Sequence, residues 1–229
     1  MPREVGVVVV AAGRGTRLGG GTPKQFRPIA GVPMLLRALR PFVSHPDVAH
    51  TVVVLPPDDA EAPPDWLRPL VGGTLSTAPG GAERGDSVAA GLARLPAACA
   101  TVLVHDAARP FVDRDTIDQV IARARAGLGA VAAVPLGDTL KRADEDRSIR
   151  GTVSRTGLWR AQTPQGFPRA LLEAAYAAAR RDGYRGTDDA ELVERCGGRV
   201  EVVPDRSWNL KVTTADDLLL AELLAARTP

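Results

Sequence analysis

Lysine is nearly missing from this chain. Of 29 Lys and Arg residues only Lys24, Lys141 and Lys211 are lysine, so arginine supplies almost all the positive charge and the three ammonium positions stand out. Cysteine is rarer still. Cys99 and Cys196 lie far apart without CxxC spacing, which excludes a disulfide scaffold and reads as two reduced thiols in a cytosolic protein. The three histidines, His45, His50 and His105, lack metal-ligand spacing, so a structural zinc site is not expected. Aromatic residues make up 4% of the chain and offer few platforms for stacked bases. The 27 acidic residues are interleaved with the basic ones, leaving a net charge of +2 and no dense Lys/Arg tract. Extended nucleic-acid binding is excluded on these grounds. A phosphate-bearing small molecule, which needs only a local cluster, is not. The longest apolar run near the start, Val5 to Ala12, is too short to span a bilayer and lacks a signal peptide's charged lead.

What is present is a chain of 229 residues, 45% hydrophobic, enough to bury a substantial core in one α/β domain spanning 1–229. Short apolar runs read as buried strands at 5–11, 51–55, 74–77, 101–105, 130–135 and 199–204. Between them, amphipathic stretches at 34–43, 86–95, 114–126, 168–182, 188–196 and 215–227 read as helices. Residues 209–212 look strand-like. This alternation predicts a doubly wound, largely parallel sheet. The segment 138–156 breaks the rhythm. It is polar, turns at Asp144-Glu-Asp-Arg147, and reads as a hairpin arm that packs on something else, such as another subunit.

In such a sheet ligands sit beyond the carboxyl ends of the strands. After the first strand comes Ala11-Ala12-Gly13-Arg14-Gly15-Thr16-Arg17, then Pro23-Lys24-Gln25. Glycines let backbone N–H groups approach phosphate oxygens, and Arg17 and Lys24 add positive charge. The loop is neither a GxxxxGK[ST] nor a clean GxGxxG sequence. By itself it is either a phosphate cradle or a plain strand-to-helix turn. Asp106 follows the third apolar strand, with Arg109 beside it. It is either a turn cap or a carboxylate for Mg²⁺, a ribose hydroxyl or a neighbouring lysine. Gly80-Gly81-Ala82-Glu83-Arg84 with Ser87 offers backbone groups and a hydroxyl to a base edge, or is an ordinary glycine turn. Lys211 sits between apolar residues. Thr214 with Asp217 fits a capping box, Thr187-Asp188-Asp189 reads as a helix cap, and Thr163-Pro164-Gln165 reads as a turn before a helix.

Together these pieces resemble the 2-C-methyl-D-erythritol 4-phosphate cytidylyltransferases of the non-mevalonate isoprenoid pathway. The resemblance rests on the first two segments above, Gly80–Ser87 and His105-Asp-Ala-Ala-Arg-Pro110. It continues through Asp138-Thr-Leu-Lys141, Arg155-Thr-Gly-Leu-Trp159, Gln162-Thr-Pro-Gln165, Thr187-Asp-Asp-Ala190 and Asn209-Leu-Lys-Val212, spread over nearly the whole chain. It implies a Rossmann-like nucleotidyltransferase fold with a protruding β-arm at 138–156 that makes a homodimer. It implies cytidylyl transfer from CTP to the polyol phosphate, releasing pyrophosphate, with Mg²⁺. Arg17 and Lys24 match transition-state stabilisers, and Arg155 and Lys211 match residues that position the attacking phosphate. Ala11, Ala12, Gly13 and Gly15 match the loop around the nucleotide, while Gly81, Ala82 and Ser87 match the cytosine-reading turn. Asp106 matches a carboxylate at the nucleotide, acceptor and metal, and Arg109, Thr139 and Thr163 match acceptor contacts. Ala82 stands where relatives often carry a longer or polar residue, so only backbone contacts are expected there.

In the reaction so implied, an ionised phosphate attacks the α-phosphorus in line, so no base is expected, and few histidines suffice. Positioning and charge neutralisation must supply most of the rate. A compact ammonium tracks charge shifting onto leaving oxygens, whereas a planar guanidinium holds a phosphate in fixed orientation. A ribitol 5-phosphate cytidylyltransferase is the competing reading within the class, and a non-catalytic nucleotide sensor is the one outside it. A nicotinamide-binding domain is disfavoured, because the second strand ends Leu55-Pro56-Pro57 without an acidic residue.

Overall fold

The computed structural model describes residues 3–13 and 21–227. Its centre is a seven-stranded sheet built from β1 (Val5–Val10), β4 (Val48–Leu55), β5 (Leu75–Pro79), β6 (Thr101–Asp106), β7 (Gly129–Pro135), β10 (Trp159–Pro168) and β11 (Val200–Pro204). The spatial order is β11-β7-β10-β6-β1-β4-β5. Every neighbour pair is parallel except those made by β10, which runs antiparallel to both β6 and β7. The mainly parallel α/β sheet expected from the alternation is therefore present, with one strand reversed in its middle.

Side chains of the buried strands alternate between the two faces. Val5, Val7 and Val9 pack with α1 (Met34–Val43) and α4 (Arg114–Arg125) through Leu35, Leu39, Phe42, Ile117 and Val120. Val8, Val52 and Val54 face the other way, onto α3 (Arg84–Arg94), α5 (Arg169–Arg181) and α6 (Asp189–Arg195). A third cluster joins α7 (Ala215–Ala225) to a small hairpin of β2 (Pro28–Ile29) and β3 (Val32–Pro33). A short helix, α2 (Pro57–Glu61), follows β4. The two caps expected at α6 and α7 form. Asp188 accepts from the Glu191 N–H at 2.9 Å, and Thr214 accepts from the Asp217 N–H at 3.2 Å.

The arm is a separate two-stranded sheet, β8 (Leu140–Ala143) with β9 (Ile149–Val153), antiparallel and largely exposed. Lys141 stays on it, donating to the Thr152 hydroxyl at 2.6 Å.

Three expectations need correcting. Residues 209–212 form no strand. The segment is pinned by the Val212 N–H to Ala108 carbonyl bond of 2.8 Å and by the buried Asn209 side chain rather than by a ladder. Residues 163–165 are no turn before a helix but part of β10, at a bulge in its pairing with β7 between Ala161 and Gln165. Pro164 has no N–H for a ladder and is tolerated at that bulge. Gly166 follows because a Cβ there would stand 2.4 Å from the Val120 side chain on α4. Finally, α3 begins at Arg84, two residues earlier than expected, because the Glu83 N–H donates to the Asp86 carboxylate at 3.1 Å.

Candidate active site

The parallel registers place several strand ends side by side. Val10 lies opposite both Val54 and Asp106, and Leu55 lies opposite Pro79. Ala11–Gly13, Gly80-Gly81 and Asp106 therefore leave the sheet along one edge. Gly80 is required there, since a Cβ would come within 2.2 Å of the Ala12 Cβ. Antiparallel β10 enters the same edge from the opposite direction. Because Gln165 pairs with Val104, Thr163 arrives beside Asp106.

Asp106 is the electrostatic centre. Its Oδ2 lies 2.6 Å from Lys211 Nζ and its Oδ1 lies 3.1 Å from Arg84 Nε. Burial alone would raise its carboxyl, but the Arg84 and Lys211 charges outweigh burial and hold it well below the usual carboxylate range. Arg84 also reaches Asp189, with its Nη2 2.9 Å from Oδ2 of a carboxylate that has no solvent exposure. The Tyr176 hydroxyl donates to the other oxygen of Asp189. Arg109 is buried, and its Nη1 donates to the Asn209 carbonyl at 2.8 Å. Gln162 Nε2 donates to the same oxygen at 2.9 Å, while Asn209 Nδ2 donates to the Thr163 carbonyl at 2.9 Å. The Thr163 hydroxyl accepts from the Asp106 N–H at 3.0 Å.

A cavity of about 250 Å³ opens among Arg84, Asp106, Arg109, Gln162, Thr163 and Lys211. A larger groove of about 800 Å³ runs between α3 and α5 and shares Arg84, Thr187 and Asp188 with it. The convergent charges lie in the smaller cavity, which makes it the candidate site.

Of the residues singled out from sequence, Asp106, Arg109, Thr163 and Lys211 line this cavity together. Lys24 approaches from the loop after β1, with its Nζ 3.5 Å from the Val212 carbonyl oxygen, next to Lys211 in sequence. Ser87 and Gly81 meet in one turn. The Gly81 N–H donates to the Ser87 hydroxyl at 3.2 Å, which donates to the Glu83 carbonyl at 3.1 Å. Ala82 is exposed on that turn. Thr139 and Arg155 are exposed at the two ends of the arm and are not among the residues lining the cavity. Gly15 and Arg17 lie outside the described residues.

Arg84, Asp189, Gln162 and Asn209 lie in the quoted motifs but were given no site role from sequence. A signal existed for Asp189, because only one of two consecutive aspartates can be the N-cap. With Asp188 capping, Asp189 points elsewhere. Among the described residues no group of three or more His, Cys, Asp or Glu side chains is placed to hold a metal ion.

Residues 5–227 match the family model of 2-C-methyl-D-erythritol 4-phosphate cytidylyltransferase. The chain is 45% identical over 227 residues to a protein of that name from Saccharopolyspora erythraea, covering 97% of this chain and 100% of the relative. It is 47% identical over 228 residues to a bifunctional IspD/IspF enzyme of Clavibacter michiganensis, covering 98% of this chain but only 55% of that longer protein. The crystal structure of the 2-C-methyl-D-erythritol 4-phosphate cytidylyltransferase from Thermus thermophilus superimposes with a TM-score of 0.83 at 38% identity, covering 97% of this chain and 99% of the other. The chain thus belongs to the 2-C-methyl-D-erythritol 4-phosphate cytidylyltransferase family.

Proposed function

We propose that the protein transfers a cytidylyl group from CTP to 2-C-methyl-D-erythritol 4-phosphate, releasing pyrophosphate, as a step in isoprenoid precursor synthesis. The observation that carries this reading is the convergence of Lys211 and Arg84 on Asp106 at the carboxyl end of β6. Ala11–Gly13 leave β1 at the same edge, and the Gly81–Ser87 turn closes it.

Two anions must meet, and each cation has a task in bringing them together. Lys24 and Arg17 neutralise charge on the triphosphate as the bond to the leaving pyrophosphate lengthens. Asp106 holds Lys211 aimed at the cavity, where its ammonium takes the acceptor phosphate. Arg109, fixed through the Asn209 carbonyl, presents its guanidinium to the acceptor. The Gly81–Ser87 turn reads the cytosine edge through backbone groups and one hydroxyl, so the alanine at position 82 is no obstacle. No base is needed for an ionised phosphate, and fully buried His105 is not asked to serve as one.

Mg²⁺ fits this site as an ion carried by the triphosphate. Asp106 is the protein group that would reach it, and both of its oxygens are already shared by cations, which argues against a cage made by the protein alone. When bound, the ion would supply charge neutralisation on the triphosphate.

Thr139 and Arg155 lie on either side of the arm, whose Ile149 is 65% exposed and where Leu158 and Trp159 are also uncovered. The arm forms a homodimer in this reading and brings Thr139 and Arg155 to the neighbouring subunit's acceptor phosphate. Incubation with CTP and either methylerythritol phosphate or ribitol 5-phosphate, with pyrophosphate measured, tests the whole assignment. Release with the first acceptor is the expected result. Release with ribitol phosphate alone overturns the acceptor, and release with neither overturns the reaction.

A further inference from the structure

His105 has no solvent exposure and no task in the mechanism above. Its hydrogen bonds nevertheless have a single consistent direction. Nε2 lies 3.0 Å from the Arg109 carbonyl oxygen, which can only accept, so Nε2 carries the hydrogen. Nδ1 lies 3.1 Å from Thr163 Oγ1. In a ring already protonated on Nε2, Nδ1 accepts, so the hydroxyl donates to it. The same Oγ1 accepts from the Asp106 N–H at 3.0 Å.

We propose that His105, as its Nε2–H tautomer, is a positioning residue for the acceptor half of the site, through one directed chain. The chain runs from the Asp106 N–H to the Thr163 hydroxyl, from that hydroxyl to His105 Nδ1, and from His105 Nε2–H to the Arg109 carbonyl. It ties the backbone of the two residues that carry the charges, Asp106 and Arg109, to β10 through Thr163. This inference rests on the acceptor assignment of the previous subsection and sharpens it. The Thr163 hydrogen is already committed, so Thr163 can offer the cavity only its second lone pair. It can accept from a hydroxyl of the polyol but cannot donate to a phosphate.

A doubly protonated ring would reverse the middle of the chain. Nδ1–H would then donate to Thr163 and free the hydroxyl hydrogen. Phe42 of α1 packs on the ring, with centroids 4.9 Å apart, and brings no charge. For a neutral ring the Arg109 carbonyl fixes the hydrogen on Nε2, and the directed chain is the one arrangement that satisfies all three bonds.

Long-range ¹H–¹⁵N spectra of the full-length wild-type protein decide the tautomer without any assay of activity. A protonated Nε2 and a bare Nδ1 at pH 7 are expected. A protonated Nδ1 at pH 7 overturns the proposal. Kinetics then test positioning. Thr163→Val should raise the KM for the polyol phosphate roughly tenfold and leave the KM for CTP within about twofold, and Thr163→Ser should restore most of that loss. Equal losses for Ser and Val, or a rise in both KM values together, overturn the positioning role. If Thr163→Val fails to fold, the wild-type spectrum and the serine variant still decide. The expected tautomer in a protein that turns over neither polyol phosphate would sink the reaction and leave the chain of hydrogen bonds standing. Turnover with the opposite tautomer would do the reverse.

Discussion

Acid should remove a definable share of this protein's stability through His105. In an unfolded chain a histidine titrates near 6.5, whereas burial pushes this ring down to about 4. Between those values the unfolded chain binds more protons than the folded one. The contribution is therefore complete above pH 6.5 and is lost as pH falls towards 4. At about 1.4 kcal/mol per unit, lowering the pH from 7 to 4.5 removes about 2 kcal/mol. His50 is also pushed down by burial, so the raw slope mixes two rings. Comparison with His105→Gln cancels that second contribution, and the glutamine amide can still donate to the Arg109 carbonyl. Asp106 does not intrude, because a carboxyl held below its usual range gives up its contribution only below about pH 3.8. Urea denaturation across this pH range measures the difference, provided the m-values agree. The advantage of the wild type over His105→Gln should shrink by about 2 kcal/mol from pH 7 to 4.5. Stability curves that stay parallel over that range would refute the reasoning. Should the glutamine variant not fold, the ring's own titration by NMR gives the same answer.

Lys24→Ala should lose on the order of 10²–10³ in kcat, the scale of one preorganised electrostatic contact, and unchanged turnover in the folded variant sinks its assignment. Lys211→Ala should weaken capture of the acceptor phosphate and leave CTP affinity little altered; a collapse of CTP binding instead would show the role to be wrong. Arg84→Met strands the fully buried Asp189 with only the Tyr176 hydroxyl and should cost about 3 kcal/mol in denaturant unfolding. A stability within about 0.5 kcal/mol of wild type would mean the pair is not held as described. Mixing Lys24→Ala subunits with Arg155→Ala subunits should regain activity that neither has alone, because one site of the mixed dimer receives both intact residues. Mixtures no more active than their parts would place Arg155 in its own subunit's site.

Much of the fold was legible because a parallel strand buried on both faces leaves a run such as Val5–Val10, and its neighbours repeat that signature. β10 left no such trace. Trp-Arg-Ala-Gln-Thr-Pro-Gln-Gly-Phe-Pro has neither alternation nor an apolar run, and its two prolines argue against a strand. Its place comes from partners distant in sequence, with the bulge absorbing Pro164 and Gly166 admitting α4. Local sequence cannot report either fact. The 209–212 segment misled for the opposite reason. Asn-Leu-Lys-Val reads as a strand, but among the described residues it joins none of the sheets, and Asn209 fixes it through its side chain instead. The site residues divide the same way. Lys24 and Lys211 stood out by composition, while Arg84 and Asp189 matter only because α3 and α6 bring them within 2.9 Å.

The reversed strand gives the arm a route to the site. β10 begins at Trp159, paired with Pro135 at the foot of the arm, and by Gln162 and Thr163 it is already beside Asp106. Had β10 run parallel like its neighbours, the arm would open at the opposite edge of the sheet, away from Lys211. Running antiparallel, it starts at the foot of the arm, four residues after Arg155, and carries Thr163 to Asp106. In the proposed dimer, contacts that seat the arm on a second subunit bear on the strand that also holds the His105 chain. A substitution such as Trp159→Ala, which strips a 40%-exposed ring from the foot of the arm, should shift the dimer equilibrium and raise the KM for the polyol phosphate in parallel. Sedimentation across a dilution series, read beside kinetics at the same concentrations, checks that coupling. A dimer weakened with acceptor KM unmoved would show that the arm and the acceptor half of the site are independent.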